Sequence, residues 1–298
     1  MSHPRTVAHV ALTGARWLVV LAAWIALSSS PAGAEYRGPI IDAHGHLPDG
    51  ARAIDAYVEA MKRHNVVKVV LLGVGGVQRD DPAWIAAAVR RHPTRVIPGL
   101  PVPGPTTENA ADEVAAGLAK RGARVIGEVH IRQVSRKIDR DPSDGPFTRV
   151  LDVAGKRGVP VVIHDELDAR ATAALESALA ARRHATVILA HAGGATPAAV
   201  DALLGKHPNL LVDLSGMHFQ RKPALATETG PLDPAWKAVI EKFPDRFLAG
   251  IDAWAPRLFE RAMLDRLMTW TRRVLGELAP DVAERVAYRN AAKLFHVE

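Results

Sequence analysis

The chain has 298 residues, of which 48% are hydrophobic and 23% charged, an ordinary globular composition with enough length for a large buried core. It has no cysteine, which excludes disulfides, thiolate metal ligands and a cysteine nucleophile, and leaves 13 histidines to carry any metal chemistry. The formal charge of +6 is spread among acidic residues with no run of five or six like charges, so it reads as a mildly basic solvated surface. No nucleic-acid partner is expected, and an anionic small-molecule substrate is compatible with this balance.

Before Glu35 the only charged side chains are Arg5 and Arg16. An apolar stretch over 17–27 follows, then small residues ending in Ala32-Gly33-Ala34. A basic start, a short apolar segment and an A-x-A site make a secretory signal peptide over 1–34, cut after Ala34. An uncleaved anchor is the alternative, but the apolar run is short against the roughly 20 residues of a membrane span. The expectation is an exported, periplasmic protein whose mature part is 35–298, with no membrane span after cleavage.

From residue 38 onward, short apolar runs alternate with amphipathic, Ala-rich stretches. The runs are 39–43, 66–73, 95–102, 123–130, 159–164, 186–191, 209–214 and 246–251. Continuous apolar runs of this length suit strands buried on both faces of a parallel sheet. Helical patterns fall at 50–64, 82–92, 108–121, 148–157, 169–183 and 197–207, with a last helix including 281–295. Eight βα units in this length predict a single-domain α/β protein, a (β/α)8 TIM barrel. An open doubly wound sheet is the alternative, but no GxGxxG or GxxxxGKS follows the first run. Residues 132–147 read as a long polar loop and 215–236 as a lid-like insertion.

Ionisable residues punctuate the C-terminal ends of the runs. The first ends Asp42-Ala43-His44-Gly45-His46, and the fourth carries Gly127-Glu128-Val129-His130. The fifth ends in His164, the sixth in His191 and the eighth in Asp252. In a barrel these ends converge on the rim that carries the active site. Side chains alternate along a strand, so His44 and His46 share a face and can chelate one cation. His164, His191 and Asp252 approach from the other side. Imidazole plus carboxylate suits zinc, with manganese and iron as alternatives, and does not suit calcium or magnesium. Asp252 can ligate and also take the proton of an activated water. A lone His-x-His mostly marks a surface or capped histidine; what distinguishes this pattern is its recurrence at the same end of four runs.

These motifs resemble the amidohydrolase superfamily, in particular its branch of small amidohydrolase-related barrels, which includes hydrolases, lactonases and decarboxylases. The resemblance runs from DAHGH at 42–46 to RNAAKLF at 289–295. It implies a barrel, one or two divalent metals and a metal-activated water, with His44, His46, His164 and Asp252 as ligands. It implies for His191 either a ligand or a polarising catalytic role. Many two-metal members use a carbamylated lysine at the end of strand 4, and 123–132 contains no lysine. Glu128 stands there instead. This looks like the metal-dependent deoxyribonuclease branch, in which a strand 4 glutamate ligates metal, although Val129-His130-Ile131 departs from that branch's Ile-Gly-Leu-Asp. Glu128 is therefore a candidate ligand, or an acceptor that orients a bound imidazole.

Substrate contacts are expected from His130, Arg132, Arg221 and Trp254, with Glu166, His218 and Arg257 as further loop residues. Arg132 and Arg221 could hold a carboxylate-bearing substrate. His184, His207 and His296 fall away from the rim and read as surface residues. The leading expectation is a metal-dependent hydrolase of a lactone, ester or amide. A metal-dependent decarboxylase is the first alternative. Phosphodiester hydrolysis and a non-catalytic periplasmic metal-binding protein are the others.

Overall fold

The computed structural model describes Met1 and residues 35–48, 50, 52–74 and 80–297. The expected signal peptide over 1–34 lies outside the described residues, Met1 aside. The barrel unit runs β1 (Ile40–Gly45), α1 (Ala53–Arg63), β2 (Val66–Leu71), α2 (Asp81–Arg91), β3 (Val96–Leu100), α3 (Ala110–Arg121) and β4 (Val125–Gln133). It continues through β5 (Ile138–Asp139), α4 (Gly145–Arg157), β6 (Val161–Asp165), α5 (Ala169–Ala181), β7 (Val187–Leu189) and α6 (Pro197–Lys206). Then come β8 (Leu210–Asp213), α7 (Pro234–Lys242), β9 (Phe247–Leu248), α8 (Arg261–Gly276), α9 (Pro280–Glu284) and α10 (Asn290–Phe295).

Eight parallel strands pair in the order β1-β2-β3-β4-β6-β7-β8-β9, a nearly closed TIM-barrel-like sheet with a helix after each strand. Three backbone bonds bring the edges together: Ala43 donates to Ala249 at 2.9 Å, His46 to Ala253 at 3.2 Å and Asp252 to His44 at 2.9 Å. Asp42 reinforces this seam. Its carboxylate accepts from the Ile251 N–H at 2.9 Å and the His44 N–H at 3.1 Å, and from the Tyr57 hydroxyl of α1.

The strands bury both faces. A smaller apolar cluster takes Ile41, Val70, Ile97, Val125, Val162, Ile188 and Leu248, one residue from each of seven parallel strands, with Leu211 of β8 packed against it. This set fills the barrel interior, and Ala291, Ala292 and Phe295 of α10 join it. Alternate strand residues such as Ile40, Val69, Val161 and Val212 pack outward with the helices. Helix starts follow side-chain capping. Asp168, Thr196 and Asp233 accept backbone N–H bonds at the starts of α5, α6 and α7, and the last two precede Pro at the first helical position.

Three segments differ from the sequence expectation. The fourth strand runs on to Gln133 and pairs antiparallel with the two-residue β5, inside the stretch read as a polar loop. The last helix is three pieces, because a π-helical turn over Arg285–Arg289 separates α9 from α10. His207 is buried at the end of α6, 3.6 Å from Glu176, and is not a surface residue. No helix among the described residues is long and apolar enough to cross a membrane.

Candidate metal centre

The site forms where the C-terminal ends of the strands meet. Asp42 reaches out to Tyr57 on α1, whereas His44, two residues on, reaches Asp213 on β8. A register irregularity between Asp42 and Gly45 permits that change of face. The Nδ1 of His44 lies 2.9 Å from Asp213, and the Nδ1 of His46 lies 2.9 Å from the Leu72 carbonyl. A carbonyl or ionised carboxylate oxygen can only accept, so both rings carry their proton on Nδ1. Their Nε2 atoms then present lone pairs, and these face each other at 3.0 Å. Two lone pairs that close repel unless a cation lies against both, either a proton or a metal ion. His191 follows the same rule: its Nδ1 donates to the Ser215 carbonyl at 2.9 Å, leaving Nε2 as the free donor atom toward a cation.

Glu128 sits among these nitrogens. Its Oε1 is 2.9 Å from His164 Nδ1, 3.4 Å from His191 Nε2 and 3.7 Å from His44 Nε2. Its Oε2 is 3.6 Å from His46 Nε2 and 3.7 Å from His130 Nε2. Asp252 closes the ring, with Oδ1 3.6 Å from His46 and Oδ2 3.8 Å from His191. Arg221 donates to that same Oδ2. Three overlapping sets result: His44, His46 and Glu128; His44, His191 and Asp252; and Glu128, His164 and His191. The ligand atoms within each set lie within 4.8 Å of one another. Imidazole lone pairs and carboxylates converging in this way fit a divalent transition metal or zinc.

Two of these residues are aimed by unusual backbone. His191 and Ala192 have φ of 56° and 52°, and Asp252 has φ of 58°. Left-handed backbone is strained for residues with a Cβ and persists only where the surrounding structure holds it. Here the Asp213 carboxylate accepts from the His191 N–H at 3.1 Å, and His44 O accepts from the Asp252 N–H.

The electrostatics are those of a crowded, buried cluster. Burial opposes the charged form of His44, but Asp213 and Glu128 outweigh it and hold the ring well above the ordinary imidazole range. Burial also opposes ionisation of Glu128, yet His44 and His164 hold its carboxyl well below the usual range. Burial, then the His44 charge, pushes His46 down. Burial pushes His130 down to about 4, so it is a neutral ring, stacked on His164 with centroids 4.9 Å apart.

A cavity of about 350 Å³ opens over Glu128 and Asp252 and is also lined by His130, His218, Arg221 and Trp254. Trp254 is 44% exposed at its edge. A second cavity of about 420 Å³ shares His164, Glu166, His191 and Arg221 with the first and reaches Arg132 and Asp165. Arg132 lines only this second cavity among the two, and its guanidinium is engaged by Asp168 at 2.8 Å and by the Glu166 carbonyl. Arg136 and Arg257 line the first cavity, are exposed, and form no ion pair among the described residues. Sequence reasoning passes over Asp213, Ser215 and Arg136. Asp213 carries the signal that marks His164, an ionisable residue near the C-terminal end of an apolar run.

The model of the amidohydrolase family matches residues 41–297. No curated protein matches the sequence. Solved structures with similar folds include an amidohydrolase from Burkholderia multivorans with bound zinc, 16% identical, TM-score 0.62, covering 88% of this chain and 100% of that one. A dihydroxybenzoic acid decarboxylase from Polaromonas sp. JS666, with bound manganese and the inhibitor 2-nitroresorcinol, is 14% identical with TM-score 0.62, covering 87% and 97%. A 4-oxalomesaconate hydratase from Rhodopseudomonas palustris is 14% identical with TM-score 0.59, covering 87% and 96%. At these identities the likeness is one of fold.

Proposed function

We propose a reaction from one premise: the chain belongs to the amidohydrolase family, whose model spans residues 41–297. The reaction is metal-dependent hydrolysis of a lactone, ester or amide. The observation that carries it is Glu128, a single carboxylate within 3.7 Å of His44, His46, His164 and His191, placed to serve two cations at once. His44, His46, His164 and Asp252 would hold a zinc, manganese or iron ion, with Glu128 and His191 as donors toward a second. A divalent cation held there would supply acidified water and a Lewis acid for a carbonyl oxygen.

The side chains do the rest. Arg221 holds Asp252 Oδ2, so Oδ1 is the oxygen that can take a proton from the attacking water. Asp213 fixes the His44 tautomer, and the Leu72 carbonyl fixes that of His46. Trp254 and the unpaired Arg136 and Arg257 give the cavity apolar and cationic walls for a carboxylate-bearing substrate.

A second reading, decarboxylation of a carboxylic acid, is supported by the manganese-bound decarboxylase among the similar folds and by the same guanidinium groups. Product analysis separates the two. The metal-reconstituted protein is screened against lactones, esters, amides and aromatic carboxylic acids. Acid release supports hydrolysis, and carbon dioxide release overturns it in favour of the second reading. Export to the periplasm belongs to the same proposal and rests on the basic, apolar and A-x-A pattern over 1–34.

A further inference from the structure

His218 lies between β8 and α7, is 4% exposed, and lines the 350 Å³ cavity together with Asp252 and His191. Its Nδ1 accepts from the Gln220 backbone N–H at 3.3 Å. A backbone N–H can only donate, so Nδ1 holds the lone pair and the proton of the neutral ring sits on Nε2. That Nε2 is buried and has no hydrogen-bond partner among the described residues. Burial, then Arg221, lowers the ring's pKa to about 4, so it stays neutral near pH 7.

This wiring is the reverse of that in His44, His46 and His191. Those rings use Nδ1 as the donor and turn an Nε2 lone pair toward the carboxylates and the cation site. His218 has no Nε2 lone pair to give a cation. It has instead an N–H for which the described residues supply no acceptor, and a buried donor left unpaired is unfavourable. An oxygen of the bound substrate would satisfy it.

We propose that His218 donates an Nε2–H hydrogen bond to the substrate oxygen that gains negative charge during hydrolysis. The role rests on the hydrolytic reading above. No proton is transferred; a neutral donor fixed in place favours the charged oxygen over the neutral one.

Two substitutions divide the ring's two nitrogens. In His218→Asn the amide oxygen can still accept from Gln220, but the chain is too short to place a donor where Nε2 lies. In His218→Gln the amide nitrogen reaches toward the Nε2 position and the loop contact is lost. The probe is methylphosphonate, a tetrahedral oxyanion, titrated calorimetrically into metal-reconstituted protein of verified metal content. The expected result is a loss of about tenfold to a hundredfold in affinity for His218→Asn, with His218→Gln keeping most of it. Wild-type affinity in His218→Asn overturns the proposal, as does a loss in His218→Gln equal to or greater than that in His218→Asn, which would assign the ring to holding the loop. Absence of methylphosphonate binding by the wild type overturns it too. The hydrolytic reading fails by a different measurement, the release of carbon dioxide in place of an acid.

Discussion

Asp213 holds the Nδ1 proton of His44 across 2.9 Å, and both side chains are sealed from solvent. The same carboxylate accepts the backbone N–H groups of His191 and Ser215, each at 3.1 Å. One buried residue of β8 thus orients two imidazoles, although its burial alone would raise its pKa. The His44 charge and hydrogen bond hold it below the usual range.

Asp213→Asn should therefore weaken metal binding by about 10–100-fold, the usual effect of removing a carboxylate behind a ligating imidazole. The fold should survive, because the amide is nearly isosteric. Competition against a chromogenic chelator gives the affinity directly. Wild-type affinity in the variant would mean that His44 does not depend on Asp213 for its orientation.

In the proposed site the number of ions turns on Glu128. Removing its charge while keeping its shape should abolish sharing between the two donor groups. Metal titration is expected to give about two equivalents for the wild type and about one for Glu128→Gln. His44→Ala should lose metal and turnover together, and Asp252→Asn should lose turnover. One equivalent in both wild type and Glu128→Gln would establish a one-metal site.

Asp165 should make stability depend on pH. It is 1% exposed, neither oxygen has a hydrogen-bond partner among the described residues, and burial raises its carboxyl to about 7. The unfolded carboxyl ionises near 3.9. Because the folded value is the higher one, its contribution to stability is complete below about pH 4 and is lost as the pH rises to about 7. Between pH 5 and 8 this term amounts to about 2–3 kcal/mol. Asp165→Asn does not titrate, so its urea-unfolding free energy should fall less over that interval than the wild type's. Parallel pH profiles for the two proteins would rule the account out.

Export is checked by mass. Protein recovered from its native envelope should begin at Glu35, the residue after the A-x-A site. A full-length chain recovered from the cytosol would remove the export proposal and leave the barrel untouched.

Much of the architecture can be read from period alone. The run 159–164 places Val162 in the barrel interior and His164, two residues later, at the mouth, as alternation requires. Alternation gives less at the last strand. The eighth run predicts a strand over 246–251, but the ladder ends at Leu248, and Asp252 arrives on left-handed backbone. His191 is turned in the same way. Such placements depend on acceptors contributed by distant segments, His44 O and Asp213, which no local pattern encodes. The His218 tautomer is hidden for another reason: it follows from one backbone contact, the Gln220 N–H, which residue types do not encode.

The seam between β1 and β9 has a bearing on how the protein matures. Asp42 and Ile251, 209 residues apart in sequence, are hydrogen-bonded there, and His44 and Asp252 sit beside them. Contacts of such separation form late, because the chain between them must be ordered first. A nascent chain that stops before residue 251 owns only one member of each pair. The donor set of His44, His191 and Asp252 is therefore complete only once the barrel has closed.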